Sequence, residues 1–226
     1  MKTRSVTLFC FALALASLPA AGAGWKKLFD GKTLKGWSIH SGTATYRVEK
    51  GEIVGTAVLG SPNTFLCTDK EYKDFILEFE VKADPLLNSG VQFRSLIAKE
   101  EMTLPGAPDK KGNPRKIPKD RVYGYQTEIA VTNAGRVYDE ARRGVFLDDP
   151  TGLAGADTAY KATDWNHYRI EARGESIRIY VNSILTTDLK DSVTAAGIIG
   201  LQVHQVGKDK FKPFEVRWRN LRIQEL

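Results

Sequence analysis

The chain is poor in cysteine and histidine, and after its first segment it has no apolar run long enough for a membrane helix. Its 226 residues include two cysteines, Cys10 and Cys67, and three histidines, His40, His167 and His204. With one cysteine outside the first segment there is no internal disulfide, so stability must come from an apolar core. The histidines are far apart and lack cysteine companions, which argues against a structural zinc site. Also missing are a Gly-x-Ser-x-Gly elbow, a phosphate-cradling glycine loop and a His-Glu-x-x-His helix. No aspartate-rich calcium loop is present, and neither a metal nor a cofactor is assigned. The formal net charge of +6 is mild and spread along the chain. That argues against a nucleic-acid partner.

The first segment has the pattern of an export signal. Lys2 and Arg4 precede an apolar run over 6–16, then Leu18-Pro19-Ala20, and Ala21-Gly22-Ala23 supplies a small-x-small cleavage site. Residues 1–23 therefore read as a signal peptide cleaved near Ala23. The run is too short to span a bilayer, and Cys10 lacks the small-residue context of a lipoprotein cysteine. The expectation is an exported product, periplasmic or secreted, with no membrane span. Residues 24–226 are expected to form a single β-sandwich domain, a size at which one sandwich is common.

Alternation with a period of two dominates the rest of the chain. Residues 74–83 give the clearest case, with Phe75, Leu77, Phe79 and Val81 on one face and Glu78, Glu80 and Lys82 on the other. Similar short strands are expected at 46–48, 52–54, 64–67, 90–96, 124–130, 136–139, 165–173, 176–182, 198–206 and 214–224. Ile170, Ile179, Leu201 and Val203 join the expected core. In the last strand the apolar phase slips between Trp218 and Leu221, which predicts a bulge at Arg219-Asn220. No segment holds a helical period over three turns, and 155–163 forms one turn at most. The fold class is all-β, roughly a dozen strands in two packed sheets. Residues 98–121 are proline-rich, basic and without β pattern, and read as a long loop: a lid or a solvated insertion.

Three strands far apart in sequence carry an unusual polar face. Gln126 and Glu128 share one side of 124–130, because successive side chains alternate. Gln92 and Arg94 do so at 91–94, and Gln202 and His204 at 201–204. Tyr138 stands on the next strand. Each residue has a structural reading: Glu128 pairing with Arg94 across the sheet, a structural His204, a buried Tyr138. Their convergence instead suits a sugar ring, which needs many oriented donors and acceptors. A two-carboxylate glycosidase fits less well. Its acids must flank one bond, and here only Glu128 lies on the strand, with Asp139 and Glu140 on the next element.

Several ordered segments carry a resemblance. They are Leu28-Phe29-Asp30-Gly31-Lys32-Thr33-Leu34-Lys35-Gly36-Trp37, Tyr72-Lys73-Asp74-Phe75, Asn88-Ser89-Gly90-Val91-Gln92-Phe93-Arg94, Gly135 to Tyr138, Trp165-Asn166-His167-Tyr168, Gly200-Leu201-Gln202-Val203-His204 and Arg219-Asn220-Leu221-Arg222-Ile223. Together, over residues 25–226, the chain resembles the 3-keto-disaccharide hydrolase family, also described as 3-keto-glucoside 1,2-lyase/3-keto-2-hydroxyglucal hydratase domains. The resemblance implies a jelly roll of the concanavalin A-like lectin/glucanase type. There are two departures. Many relatives read Tyr-Glu-x-Gln where this chain has Tyr125-Gln126-Thr127-Glu128, and Ser183 replaces a frequent glycine after Asn182.

The implied reaction removes the C2 proton of a 3-keto glycoside, eliminates the C1 group and hydrates the glycal. It implies Glu128 or His204 as the base and Arg94 as holder of the enolate, with Gln92, Gln126, Tyr138 and Gln202 binding substrate. The partner is a small 3-keto glycoside or disaccharide, oxidised beforehand by a separate sugar 3-dehydrogenase. The alternative is a non-catalytic carbohydrate-binding module using the same face.

Overall fold

The structure, a computed structural model, describes residues 24–108, 112–207 and 212–226. The expected signal peptide, 1–23, lies outside the described residues. Among the described residues sixteen strands run in chain order. The first eight are β1 (Lys26–Lys27), β2 (Trp37–His40), β3 (Thr45–Glu49), β4 (Glu52–Thr56), β5 (Thr64–Thr68), β6 (Phe75–Ala83), β7 (Ser89–Ile97) and β8 (Met102–Pro108). The rest are β9 (Pro114–Ile117), β10 (Val122–Ile129), β11 (Val137–Glu140), β12 (Asn166–Arg173), β13 (Ser176–Val181), β14 (Ile184–Lys190), β15 (Ile198–Val203) and β16 (Glu215–Glu225). The one helical element among them is a single 3-10 turn at Ala156–Thr158, within the stretch expected to form a turn at most. Among the described residues no helix is long and apolar enough to cross a membrane.

Two antiparallel sheets face each other in a jelly roll. The larger runs β14-β13-β12-β6-β16-β4-β3, with β1 beside β16, and the smaller runs β11-β10-β7-β15-β5-β2. The alternating apolar residues meet between them. Phe75, Leu77, Phe79, Val81, Ile170, Ile179, Leu201 and Val203 are all buried there, as their period requires. Phe79 stacks on Tyr168 and Phe93 on Tyr125, with ring centroids 5.3 and 5.7 Å apart. The predicted slip in the last strand is present. The register of β16 on β6 shifts between Arg219 and Arg222, and Asn220 adopts a left-handed backbone with φ of 55°.

The segment 98–121 departs from expectation, because it contains the hairpin of β8 and β9. Its prolines masked a β pattern. Pro108 and Pro114 face each other at the hairpin's far end, where a missing N–H costs little. At the near end Met102 pairs with Ile117, and buried Ile117 packs with Ala98 and Tyr123. That small apolar cluster docks the hairpin on the smaller sheet.

Candidate active site on the smaller sheet

The outer faces of the two sheets differ in kind. On the larger sheet, charges pair with charges: Glu78 accepts from Arg169 at 2.7 Å and from Arg222 at 2.5 Å, and Glu80 accepts from Arg219 at 2.6 Å. Such partly exposed pairs form a solvated surface. The smaller sheet carries buried amides instead.

A bulge in β7 shapes that face. Gln92 pairs with Gln126 of β10 and Gly200 of β15, but Leu96 pairs with Tyr123 and Ser95 with Ile198, so one extra residue is inserted between Gln92 and Ser95. Arg94 takes the left-handed conformation, φ 46°. Such a bulge bends its strand and re-aims side chains. Opposite it, Gly124 has φ 130°, and a Cβ there would lie 2.9 Å from Ser95 Oγ. Beyond this point the outer ends of β7 and β10 fold across the face towards β2. Val122 N donates to Ser41 Oγ at 2.8 Å, and the His40 ring meets Asp120 at 2.6 Å. Underneath, Phe65, Cys67, Val122 and Ile198 form a second apolar cluster, and burial pushes the Cys67 thiol well above its usual range.

The bulge also corrects the placement of Arg94. Alternation puts it beside Gln92, but the extra residue turns it to the other side of the sheet. There its guanidinium donates to Lys73 O at 2.6 Å, Gly174 O at 2.6 Å and Asp74 Oδ1 at 2.7 Å. Fully buried, it ties the β12–β13 turn to the entry of β6. It does not pair with Glu128 and does not lie on the face that carries Gln92.

The remaining amides form a chain. Ser95 Oγ donates to Gln92 Oε1 at 2.6 Å, Gln92 Nε2 to Gln126 Oε1 at 2.8 Å, and Gln126 Nε2 to Glu128 Oε1 at 2.7 Å. Asn88 Nδ2 reaches the other carboxylate oxygen at 3.1 Å. Every amide orientation is thereby set, ending at Glu128. Gly90 makes room, since a Cβ there would sit 2.6 Å from the Gln126 side chain. Burial raises the Glu128 carboxyl above the ordinary carboxylate range, opposed by the Asn88 and Gln126 hydrogen bonds and reinforced by the charge of Glu140.

Gln202 follows on β15. Its backbone oxygen accepts from Ser89 Oγ at 2.7 Å, yet both atoms of its side-chain amide are buried with no partner. Buried polar atoms are nearly always paired, so this amide stands apart from the hydrogen-bonded amides of the same face. Tyr138 lies opposite Gln126 in the ladder and packs edge-on against Phe146. Burial, followed by the charge of Glu140, raises its hydroxyl pKa, keeping it a neutral donor.

Gln92, Gln126, Glu128, Gln202 and Tyr138 thus share one outer face. His204 sits past the end of β15, half-buried, with Nδ1 2.8 Å from Gln205 O, and no hydrogen bond joins it to Glu128. Other polar residues of this face were not singled out from the sequence as functional. Glu140 accepts from Arg121, and from Asn63 Nδ2 at 3.3 Å. Alternation could have found Glu140, two residues beyond Tyr138 on the same strand. Asn63 and Arg121 reach the face through long-range folding, and no local pattern marks them.

Known proteins agree with this architecture. The carbohydrate-binding module CBM66 from Bacillus subtilis is 17% identical, with 84% of this chain and 96% of that one covered at a TM-score of 0.56. A putative glycosyl hydrolase from Parabacteroides distasonis is 16% identical, with 90% and 94% covered and a TM-score of 0.55. The Bacillus licheniformis β-glucanase is 13% identical, with 92% and 100% covered and a TM-score of 0.53. At these identities the likeness is one of fold, the concanavalin-like jelly roll. No curated protein sequence matches the chain. The model of the 3-keto-alpha-glucoside-1,2-lyase-like domain matches residues 24–224. The chain belongs to the 3-keto-alpha-glucoside-1,2-lyase-like (3-keto-disaccharide hydrolase) family.

Proposed function

We propose that the protein cleaves 3-keto glycosides by elimination and hydration, with Glu128 as the base. One observation carries this reading: a buried carboxylate with a raised pKa, aimed by two amides, on the same outer face as the unpartnered amide of Gln202. A base works best when its pKa lies near the operating pH, and burial moves Glu128 in that direction. A ketone at C3 acidifies the C2 proton because the carbanion is an enolate. Glu128 takes that proton, the C1–oxygen bond breaks, and a C1=C2 double bond forms. The departing oxygen is protonated by the Tyr138 hydroxyl or by water. Water then adds to C1 while a proton returns to C2, so the net change is hydrolysis.

The enolate oxygen needs a donor, and Arg94 is turned away from the site. The Gln202 Nε2 group fits the task, since a preorganised donor without a partner loses nothing when the oxyanion forms. Gln92 and Gln126 hold the base in orientation. A separate sugar 3-dehydrogenase is required upstream to make the ketone.

The experiment is turnover of a 3-keto glycoside in deuterium oxide, following exchange at C2. Glu128→Gln is expected to lose about 10²–10⁴ in rate, together with the exchange, whereas His204→Asn retains both. Exchange that persists in Glu128→Gln and vanishes in His204→Asn would assign the base to His204. Cleavage without C2 exchange would mean direct hydrolysis, and binding of glycosides without any turnover would mean a carbohydrate-binding module.

A further inference from the structure

Beside Tyr138 and Glu140 lies a pocket of about 260 Å³ lined by Arg115, Lys116, Arg121, Tyr138 and Glu140 among others. Its lining brings three cations against one carboxylate. Arg121 is committed to Glu140. Lys116 is largely exposed, and its contact with Glu101 is long, at 3.7 Å. Arg115 is left over. Among the described residues its Nε is buried without a partner, and Nη2 reaches only Pro108 O at 3.5 Å. Among the described residues no carboxylate pairs with it.

The fold holds this guanidinium in place. It lies against Gly144 in the turn after β11, where a Cβ would come within 2.7 Å of Nη2, and Gly144 has φ 70°. A side chain there would displace the guanidinium. The positive charge also acts on Tyr138, drawing its hydroxyl pKa down against the larger effect of burial. Arg115 is therefore a half-buried cation packed on Gly144 beside Tyr138, with planar donors unused among the described residues. That geometry matches a carboxylate or another oxyanion bound in two-pronged fashion.

We propose that this pocket binds an anionic group, such as a carboxylate, carried by the leaving group of the substrate. The assignment to the leaving group rests on the elimination reading, which puts Tyr138 beside the departing oxygen. The charge selectivity itself rests on Arg115 alone.

The test compares two 3-keto glucosides, one of 4-hydroxybenzoate and one of its neutral amide, 4-hydroxybenzamide. The expected kcat/KM favours the carboxylate by about tenfold or more. That ratio should collapse towards one in Arg115→Gln and persist in part in Arg115→Lys, with melting temperatures checked to confirm folding. A ratio near one in the unmodified protein, or one unchanged in Arg115→Gln, would overturn the proposal. A second arm separates this from failure of the elimination reading. Calorimetry is run on the unoxidised 4-carboxyphenyl and 4-carbamoylphenyl glucosides, which need no chemistry to bind. Tighter, salt-sensitive binding of the carboxylate that Arg115→Gln erases supports the pocket even if neither keto glucoside turns over. Equal binding of the two overturns it.

Discussion

Gln92 and Arg94 are two residues apart on one strand, yet they point to opposite sides of the sheet: Gln92 bonds to Gln126 at 2.8 Å, and Arg94 to Asp74 at 2.7 Å. The extra residue between Gln92 and Ser95 separates them. It gives the protein a buried cation with a structural task and leaves buried amides on the outer face of the smaller sheet.

Arg94→Ala should therefore act on stability. Removing one member of a buried charged network leaves carbonyls and a carboxylate without their donor, at a cost of about 3–5 kcal/mol. Urea unfolding measures the loss. The fraction that remains folded should keep its turnover per site, and a rate loss in fully folded Arg94→Ala would return Arg94 to the chemistry.

Ser183 offers the opposite sign. Asn182 and Ser183 form the β13–β14 turn with φ of 50° and 71°. Asn182 is anchored, donating to Ala159 O at 2.8 Å and accepting from His167 N at 2.9 Å. Ser183 has no such compensation for a left-handed backbone, which glycine adopts freely. Ser183→Gly should gain about 1 kcal/mol and raise the melting temperature by about 2–4 °C. An unchanged or lower melting temperature would show that the turn is not strained at this position.

A sequence pattern carries some of these features and hides others. Phe75, Leu77, Phe79 and Val81 alternate without interruption, so their faces could be read directly, and the slip at Arg219-Asn220 showed as a break in that alternation. At Gln92–Ser95 the same kind of insertion was invisible. Phe93 keeps its core position, and Gln, Arg and Ser are all acceptable on a polar face, so no apolar residue falls out of phase. Gln92, Gln126 and Glu128 were legible because they lie before the bulge or on the unbulged strand. Arg121 and Asn63 meet Glu140 only because β7 and β10 fold over, a consequence of long-range geometry.

The raised pKa of Glu128 has a thermodynamic consequence. The folded protein retains a proton that the unfolded chain releases at its ordinary carboxylate pKa. Stability therefore falls as pH rises from that ordinary range through the raised value, and the full cost is present above it. Glu128→Gln cannot accept from both Asn88 and Gln126, so it carries a constant offset, but the loss of stability between about pH 4 and neutral pH should be absent from it. In the unmodified protein kcat/KM should climb with pH through the same raised value, because the base must be ionised. The same pH dependence of stability in Glu128→Gln and the unmodified protein, together with a flat acid limb, would show that Glu128 stays ionised in the fold.

Gln202 gives the most direct test of the cleft. Its amide is fully buried with neither atom hydrogen-bonded, and such an unmet group costs about 1–3 kcal/mol. Leucine is of similar size and adjoins the apolar cluster of Phe65 and Ile198 without carrying the unmet polar atoms. Gln202→Leu should therefore raise the melting temperature by about 2–4 °C, a gain of about 1 kcal/mol, while weakening binding of a 3-keto glycoside and slowing C2 exchange. The two effects should appear together, because the amide left unpaired by the fold is the one proposed to meet the sugar oxygen. A Gln202→Leu protein that loses stability would mean the amide is satisfied in solution, and one that keeps full binding and exchange would remove Gln202 from the site.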